Sequence, residues 1–507
     1  MSGPLRLVPP APAPSVPTPS VPTPSVPTPP LPSPRRGDGG GGPRRPRWAH
    51  DPVDELIEEQ GELIAAAVHP DEIAAVLEAD GLTGDQAQER FGRRDTFALA
   101  AELYARVPSR HPAPPPRTDP WAARPGRFLF RGLVFALPGL GYALGAPFLS
   151  GPSDVLGLPA GSGALTASAL VGWAWNQALA HRAYTQLASG GRAAAGRCLR
   201  LGAPLGAVLA CLAALLLPAP GAALAFAAGQ SVYLAAATAL LVLGKERLLP
   251  LALLPTAVGA GLSVAVQLPS WVRMVALLAT IGAVLAAAAG VTVRAWREAE
   301  DTVSVPAPPL AASLPYGLFG LGCAVLTTMA ALGDMVRYGA GAALAGATVI
   351  ALTLSMGAAE WLLHRCRGLA LGALAHSTAP AGLRLRAAGV LGLCLTGYLT
   401  ALTALVFATH ALWPAASPAT APPQLGAARL LAVLALGAVL WSGLLLQAFG
   451  SAWPPAAVCL AAAGAETAAL ALKFSVPAVV QLAVCGGASA VLLVFATTLL
   501  GRITTHR

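Results

Sequence analysis

From residue 128 to residue 500 the chain is a succession of apolar stretches, each about 20 residues long, joined by short polar or basic connections. A bilayer core is about 30 Å thick and takes about 20 helical residues to cross, and in lipid the backbone must satisfy its own hydrogen bonds. The stretches therefore predict an all-α polytopic membrane protein of about twelve spans, near 128–149, 157–180, 201–218, 222–244, 248–268, 271–294, 314–335, 339–363, 387–411, 427–448, 455–472 and 476–500. Composition agrees: 55% of residues are hydrophobic and 11% charged, whereas soluble chains carry about a quarter charged residues. The net charge of +9 is not a nucleic-acid footprint. Fourteen basic and 16 acidic residues precede residue 128, and 19 and 8 follow, so the positive excess belongs to the membrane part.

Where that excess sits predicts orientation. With the N-terminus cytoplasmic, one side of the membrane receives Arg182, Arg192, Arg197, Arg200, Lys245, Arg247, Arg294, Arg297, Arg365, Arg367, Arg384, Arg386, Arg502 and Arg507. The other keeps Arg273, Arg337, Arg429 and Lys473. Basic residues are retained on the cytoplasmic side, so both termini are expected inside a plasma-membrane protein, with Trp271, Trp296, Trp361, Trp413 and Trp453 at the interfaces.

The spans repeat. His181-Arg182 recurs as His364-Arg365, and at an offset of 185 the first three spans overlay the seventh to ninth. Beyond the connection WPAASPATAPPQLG the offset becomes 205, placing Pro250 on Pro455 and Gly259 on Gly464. Two parallel six-span halves follow, 128–300 and 301–507. The two matched basic connections predict helices lying on the cytoplasmic surface, one carrying Arg182, Arg192, Arg197 and Arg200, the other Arg365, Arg367, Arg384 and Arg386. An ordinary inner loop accounts for the arginines equally, though not for the matched length.

Ahead of the spans the composition changes twice. Residues 1–50 repeat SVPTP and then run through PRRGDGGGGPRRPR, a Pro- and Gly-rich tail expected to be disordered. Residues 51–108 read as a small acidic helical domain in the cytosol: Pro70 opens one helix, Thr83 and Gln86 form a capping box for another, and Asp95 caps a third. Residues 109–127 form a linker. Its opening, MSGPLRLVPPAPAP, lacks the apolar core and cleavage site of a signal peptide.

Polar residues inside spans mark candidate chemistry, because an ionisable group at mid-bilayer costs about 2.5 to 3.5 kcal/mol on insertion scales. Glu466 lies near the middle of span eleven, with Lys473 seven residues on, two turns away on the same face. Together with Asn176, Gln177, Gln230 and Gln481 these are the candidate substrate or ion pathway; for the carboxylate a neutral or paired structural role, and for the amides bonding between helices, are the alternatives. Glu360 is expected to pair with Arg365 or Arg367, and Asp334 with Arg337. Seven scattered cysteines show no CxxC and no matching His spacing, so no metal, disulfide or cofactor is indicated, and no nucleotide-binding motif occurs.

Six plus six spans with long basic connections after the second and eighth resemble the multidrug/oligosaccharidyl-lipid/polysaccharide flippase superfamily. The stretch WNQALAHRAYTQLASGGRAAAGRCLRLGAPLGAVLACLAALLL, residues 175–217, resembles its basic helix leading into an apolar span, with the polysaccharide-export branch nearer than the drug-efflux branch. The segment EIAAVLEADGLTGDQAQERFGRRDTFALAAELYARVP resembles an N-terminal module of uncharacterised actinobacterial integral membrane proteins. The first resemblance implies a non-enzymatic flippase working by alternating access on an envelope glycan or its lipid-linked precursor. That branch often carries cationic residues in its lumen, whereas few arginines here fall at membrane depth. The major facilitator superfamily shares the layout but has a short loop with an Asp after span two; Arg182 to Arg200 is long and free of acid. Two further readings stay open: a scaffold recruiting cytosolic glycan-synthesis enzymes through residues 51–108, and a polytopic glycosyltransferase, for which Asp154 is the one carboxylate in the first outer connection.

Overall fold

The computed structural model describes residues 51–108, 125–149, 161–298, 308–338, 346–375, 379–412 and 423–501. The Pro-rich tail, most of the linker, Asp154, Trp413 and the C-terminal arginines lie outside the described residues. The chain divides into two compact units, parted after Arg117.

The first unit contains four helices: α1 (Pro52–Ala66), α2 (Pro70–Ala79), α3 (Gly84–Phe91) and α4 (Thr96–Arg106). Their starts are set by side chains that satisfy otherwise free amides. Asp51 accepts from the Val53 amide, Thr83 and Gln86 exchange the two bonds of a capping box, and Asp95 Oδ1 accepts from the Ala98 amide at 2.7 Å. The apolar faces close on a core of Val53, Ile64, Ile73, Leu77, Leu99 and Leu103. Glu102 on α4 bonds Arg93 and Arg106, and Arg93 holds its carboxyl below the usual range.

The second unit is a helical bundle: α5 (Pro125–Ala136), α6 (Gly139–Leu149), α7 (Ser162–Leu215), α8 (Gly221–Val242), α9 (Leu248–Ala265), α10 (Ser270–Arg297), a short 3₁₀ turn (Leu310–Ala312), α11 (Leu314–Tyr338), α12 (Gly346–Ala375), α13 (Pro380–Leu412), α14 (Pro423–Ala448), α15 (Trp453–Ala471) and α16 (Pro477–Leu500). Among the described residues these give 11 stretches long and apolar enough to cross a membrane. One of them counts twice. The 54 residues of α7 would make a rod of about 80 Å, but Gly191 (φ 68°, ψ −168°) reverses the chain. Only glycine adopts that backbone cheaply. Across the bend Trp175 Nε1 donates to the Gly202 carbonyl at 2.8 Å, and Leu179 packs on Gly202. Residues 162–190 and 192–215 are therefore two antiparallel arms, which restores twelve crossings.

This hairpin corrects one expectation. The basic connection is not a separate helix on the membrane surface; it is the adjoining ends of two long helices. Its arginines bind protein: Arg182 donates to the Pro308 carbonyl, Arg192 bonds the Leu243 carbonyl at 3.1 Å and pairs with Glu298, and the Arg200 guanidinium lies 4.5 Å from the Trp296 ring centre. Arg197 is exposed. In the second half α12 and α13 pair in the same antiparallel way, with Ser355 bonded to Tyr398, so Arg365, Arg367, Arg384 and Arg386 also lie on extended helix ends.

A second correction concerns the first span, which is two helices. Pro138 has no amide to donate and α5 stops before it, while α6 restarts at Gly139. The remaining helices fall in register at the expected offsets: α8 on α14 and α9 on α15 at 205, and the first arm of α7 on α12 at 185. Contacts between halves are reciprocal, α5 on α12 and the first arm of α7 on α11, as a pseudo-twofold axis requires. Both seams are closed by glycine. A Cβ on Gly132 would lie 2.7 Å from the Leu354 carbonyl, and one on Gly320 would lie 2.8 Å from Gln177 Cγ.

Candidate functional site

A cavity of about 800 Å³ lies within the first half, between α5, α6, the first arm of α7, α8, α9 and α10, with Thr353 of α12 at its edge. Helical spacing builds two of its walls. The first arm of α7 contributes Trp173, Asn176, Gln177, Ala180 and Tyr184, and α8 contributes Ala222, Ala225, Phe226, Gly229, Gln230, Tyr233, Ala237 and Leu241, each set a single helix face. The break at Pro138 opens the third wall, so that Phe135 and Tyr142 both face the space. The fourth is α9, which carries Pro255 inside the helix; next to it the Thr256 amide bonds Thr280 Oγ1 at 3.2 Å and the two hydroxyls meet at 2.8 Å.

Polar groups in this greasy space are few and differ in how they are engaged. Gln230 is held by two neighbouring helices: Tyr142 of α6 donates its hydroxyl to Oε1, and Nε2 donates to Ser168 Oγ at 3.2 Å and to the Leu165 carbonyl at 3.4 Å, both on α7. Asn176 Oδ1 is buried and has no hydrogen-bond partner, so that amide retains bonding capacity. At the arginine-rich end stands Arg131 of α5, its Nε 3.1 Å from Glu246 and its Nη1 bonded to Glu360. This ion pair joins the α8–α9 connection to α12 of the other half, and the side chains of Arg131 and Glu246 are 18% and 15% exposed, too sheltered to be an ordinary surface pair.

Asn176, Gln177 and Gln230 are thus brought together in one cavity; Glu466, Lys473 and Gln481 are not among its lining residues. Glu466 is 1% exposed on α15, within the packed second half, with Oε2 unbonded, and Gln481 donates to the Leu326 carbonyl at 3.4 Å. Lys473 does not lie two turns along the same helix. The helix α15 ends at Ala471, and Lys473 takes a left-handed turn (φ 55°) in solvent. Glu360 pairs with Arg131, a partner the sequence did not suggest, and Asp334 pairs with Arg429 at 2.8 Å where Arg337 was expected. Sequence reading passed over Arg131, although GRFLFRGLVF places it inside a span, and it passed over the aromatic partners Trp173 and Tyr233, three or four residues from the named amides, and Tyr184, two turns from Gln177.

No protein-family model matches the chain, and no curated protein matches it. Among solved structures the chain is similar to an outward-facing multidrug resistance MATE family transporter of the MOP superfamily, 12% identical over 75% of this chain and 97% of that one, with a TM-score of 0.44. It is also similar to a MATE mutant (14% identical, 76% and 97% covered, TM-score 0.42) and to MATE in complex with MaL6 (13% identical, 76% and 97% covered, TM-score 0.35). These neighbours are transporters of the multidrug/oligosaccharidyl-lipid/polysaccharide flippase superfamily.

Proposed function

We propose that the protein is a membrane transporter whose substrate occupies the first-half cavity, and that the substrate is an amphipathic envelope glycan or its lipid-linked precursor. One observation carries this reading. The cavity joins aromatic faces (Trp173, Tyr184, Tyr233, Phe226) to carboxamides (Asn176, Gln177, Gln230), while the cation in it, Arg131, is already neutralised by Glu246 and Glu360. Rings stack on the apolar faces of sugars or on acyl chains, and amides bond hydroxyls. No Asp or Glu is among the lining residues, and the two carboxylates nearest the lining Arg131, Glu246 and Glu360, are engaged by it. The broken α5–α6 helix beside the cavity fits a site that opens alternately, since discontinuous helices at a repeat interface mark the binding region in other repeat transporters.

The test is a deletion strain complemented with wild type, Trp173→Ala or Gln230→Leu, scored for lipid-linked sugar and surface glycan. Accumulated precursor in the deletion, cleared by wild type and by neither variant, supports the proposal. An unchanged glycan profile in the deletion removes the glycan assignment, and full rescue by both variants removes the cavity.

A further inference from the structure

Where the first arm of α7 meets α11, the two halves touch along a ladder of contacts. A Cβ on Gly320 would lie 2.8 Å from Gln177 Cγ, and one on Gly317 would lie 3.2 Å from Ala178 Cβ. One turn further along α7 the His181 ring stacks on Tyr316, with centroids 3.7 Å and planes 15° apart, and its Nδ1 lies 3.0 Å from Ser313 Oγ. Gln177 also lines the cavity, so the ladder borders that space. We infer that His181 is a proton-sensitive latch between the halves: neutral, it holds α7 against α11, and protonated, it releases them and opens the cavity at the arginine-rich end. The inference rests on the reading of the cavity as a transport site.

Unbalanced charge makes the contact sensitive. A neutral imidazole needs only the partners it has, a ring to stack on and a hydroxyl that either donates to Nδ1 or accepts from it. An imidazolium adds a positive charge to a half-buried seam whose neighbouring charge is Arg182, itself bonded to the Pro308 carbonyl. The titratable groups around His181 are Tyr316 on α11, Tyr184 on its own helix, and Cys198 on the second arm of α7, which bonds Arg182. The carboxylate of Glu298 on α10 is paired with Arg192, and among the described residues no carboxylate pairs with His181. Stacking on the Tyr316 face returns part of the cost of the cation. It does not remove the repulsion from Arg182.

The other seam shows the same device with the charge balanced. His364-Arg365 repeats His181-Arg182, and the His364 ring meets Phe128 of the opposite half at 5.1 Å, tilted by 51°. One turn before His364 stands Glu360, bonded to Arg131, whereas one turn before His181 stands Gln177. A charge on His364 therefore has a carboxylate one turn away on its own helix, and a charge on His181 has an amide. The two histidines share a place in the repeat and differ in response. Acidification through the ordinary histidine range, about pH 6.5, loosens the α7–α11 seam and leaves the α5–α12 seam closed.

Hydrogen–deuterium exchange of the full-length protein in detergent reads each seam without substrate. Rates are compared at about pH 7.5 and about pH 5.5, on either side of the histidine range, after correction for the intrinsic pH dependence of amide exchange. In wild type the α11 amides of residues 317–324 are expected to exchange about fivefold faster at the lower pH, and the α12 amides of residues 354–364 less than about twofold faster. His181→Gln, neutral at both values, and His181→Arg, charged at both, should each bring the α11 ratio below about 1.5, while His364→Gln should leave it at about five. Protection of residues 436–445 in α14 reports that each variant is folded. Three results would overturn the inference: a wild-type ratio of one, the wild-type ratio persisting in His181→Gln, or slower exchange in acid, as stacking of the cation on Tyr316 would give. A flat exchange profile leaves the cavity reading standing, and an unchanged glycan profile in the deletion strain leaves the latch standing.

Discussion

Helices α8 and α14 hold equivalent places in the two halves, yet they build opposite interiors. At the offset of 205 both begin Gly-Ala-Ala, and then Gly229 falls on Leu434, Gln230 on Ala435 and Ala236 on Trp441. Trp441 is completely buried: its Nε1 donates to the Ala359 carbonyl at 3.3 Å and its ring lies 6.3 Å from that of Tyr398. Phe319, also buried, fits against Gly443. The second half is thus a filled core, whereas the first half, with small residues along α8, surrounds a cavity of about 800 Å³. One architecture, used twice, gives a densely packed half and a hollow half, and side-chain volumes such as those of Trp441 and Phe319 contribute to the difference.

Emptying the filled half is expected to have the largest effect. Trp441→Ala should lower stability by about 3 to 5 kcal/mol, read as a lower thermal midpoint in detergent, and the contrast between halves fails if the midpoint does not move. Next comes the ion pair between them. Arg131→Met leaves two sheltered carboxylates facing each other and should cost about 3 kcal/mol; combining it with Glu246→Gln and Glu360→Gln should recover much of that loss. Filling the hollow half is the complementary test. At Gly229 a Cβ would meet only Ile281, at 3.9 Å, so Gly229→Leu, copying Leu434, should leave the thermal midpoint within a degree or two yet cut transport at least tenfold, about 1.4 kcal/mol in barrier terms. The smallest effect lies outside both halves, in the helical unit ahead of them. The Glu102 carboxyl is held low by Arg93, so its stabilising contribution is present at neutral pH and is lost as pH falls through that lowered value. Glu102→Gln should cost that unit about 1 kcal/mol or less and flatten its acid melting curve, with no change in the membrane bundle.

The features legible in the sequence are those set by short-range physics. Span length, the capping box at Thr83 and Gln86 and the cap at Asp95 all depend on neighbours within a few turns, and the structure has each of them. The tight reversal at Gly191 sits in QLASGGRAA, where two adjacent glycines signal it, but the flanking arginines suggested a surface helix instead. Long-range pairing was not legible. Glu360 finds Arg131, 229 residues away, and Asp334 finds Arg429, 95 residues away, where proximity along the chain had suggested other partners. Of the pathway residues, Asn176, Gln177 and Gln230 were recognisable because they are polar groups inside apolar spans. Glu466 stood out for its cost in lipid, but burial in a packed core is a different environment from a lumen, and one sequence does not tell the two apart.

The glycine seams between the halves carry a mechanical consequence. At the α5–α12 crossing Gly132 and Gly357 bring backbone against backbone, and beside them the rings of Phe128 and His364 meet with centroids 5.1 Å apart. Interlocked side chains act like gear teeth and hold one register, while two bare backbones form a smooth bearing. Two unlike couplings therefore share this seam, a bare-backbone contact and the ion pair of Arg131 with Glu246 and Glu360.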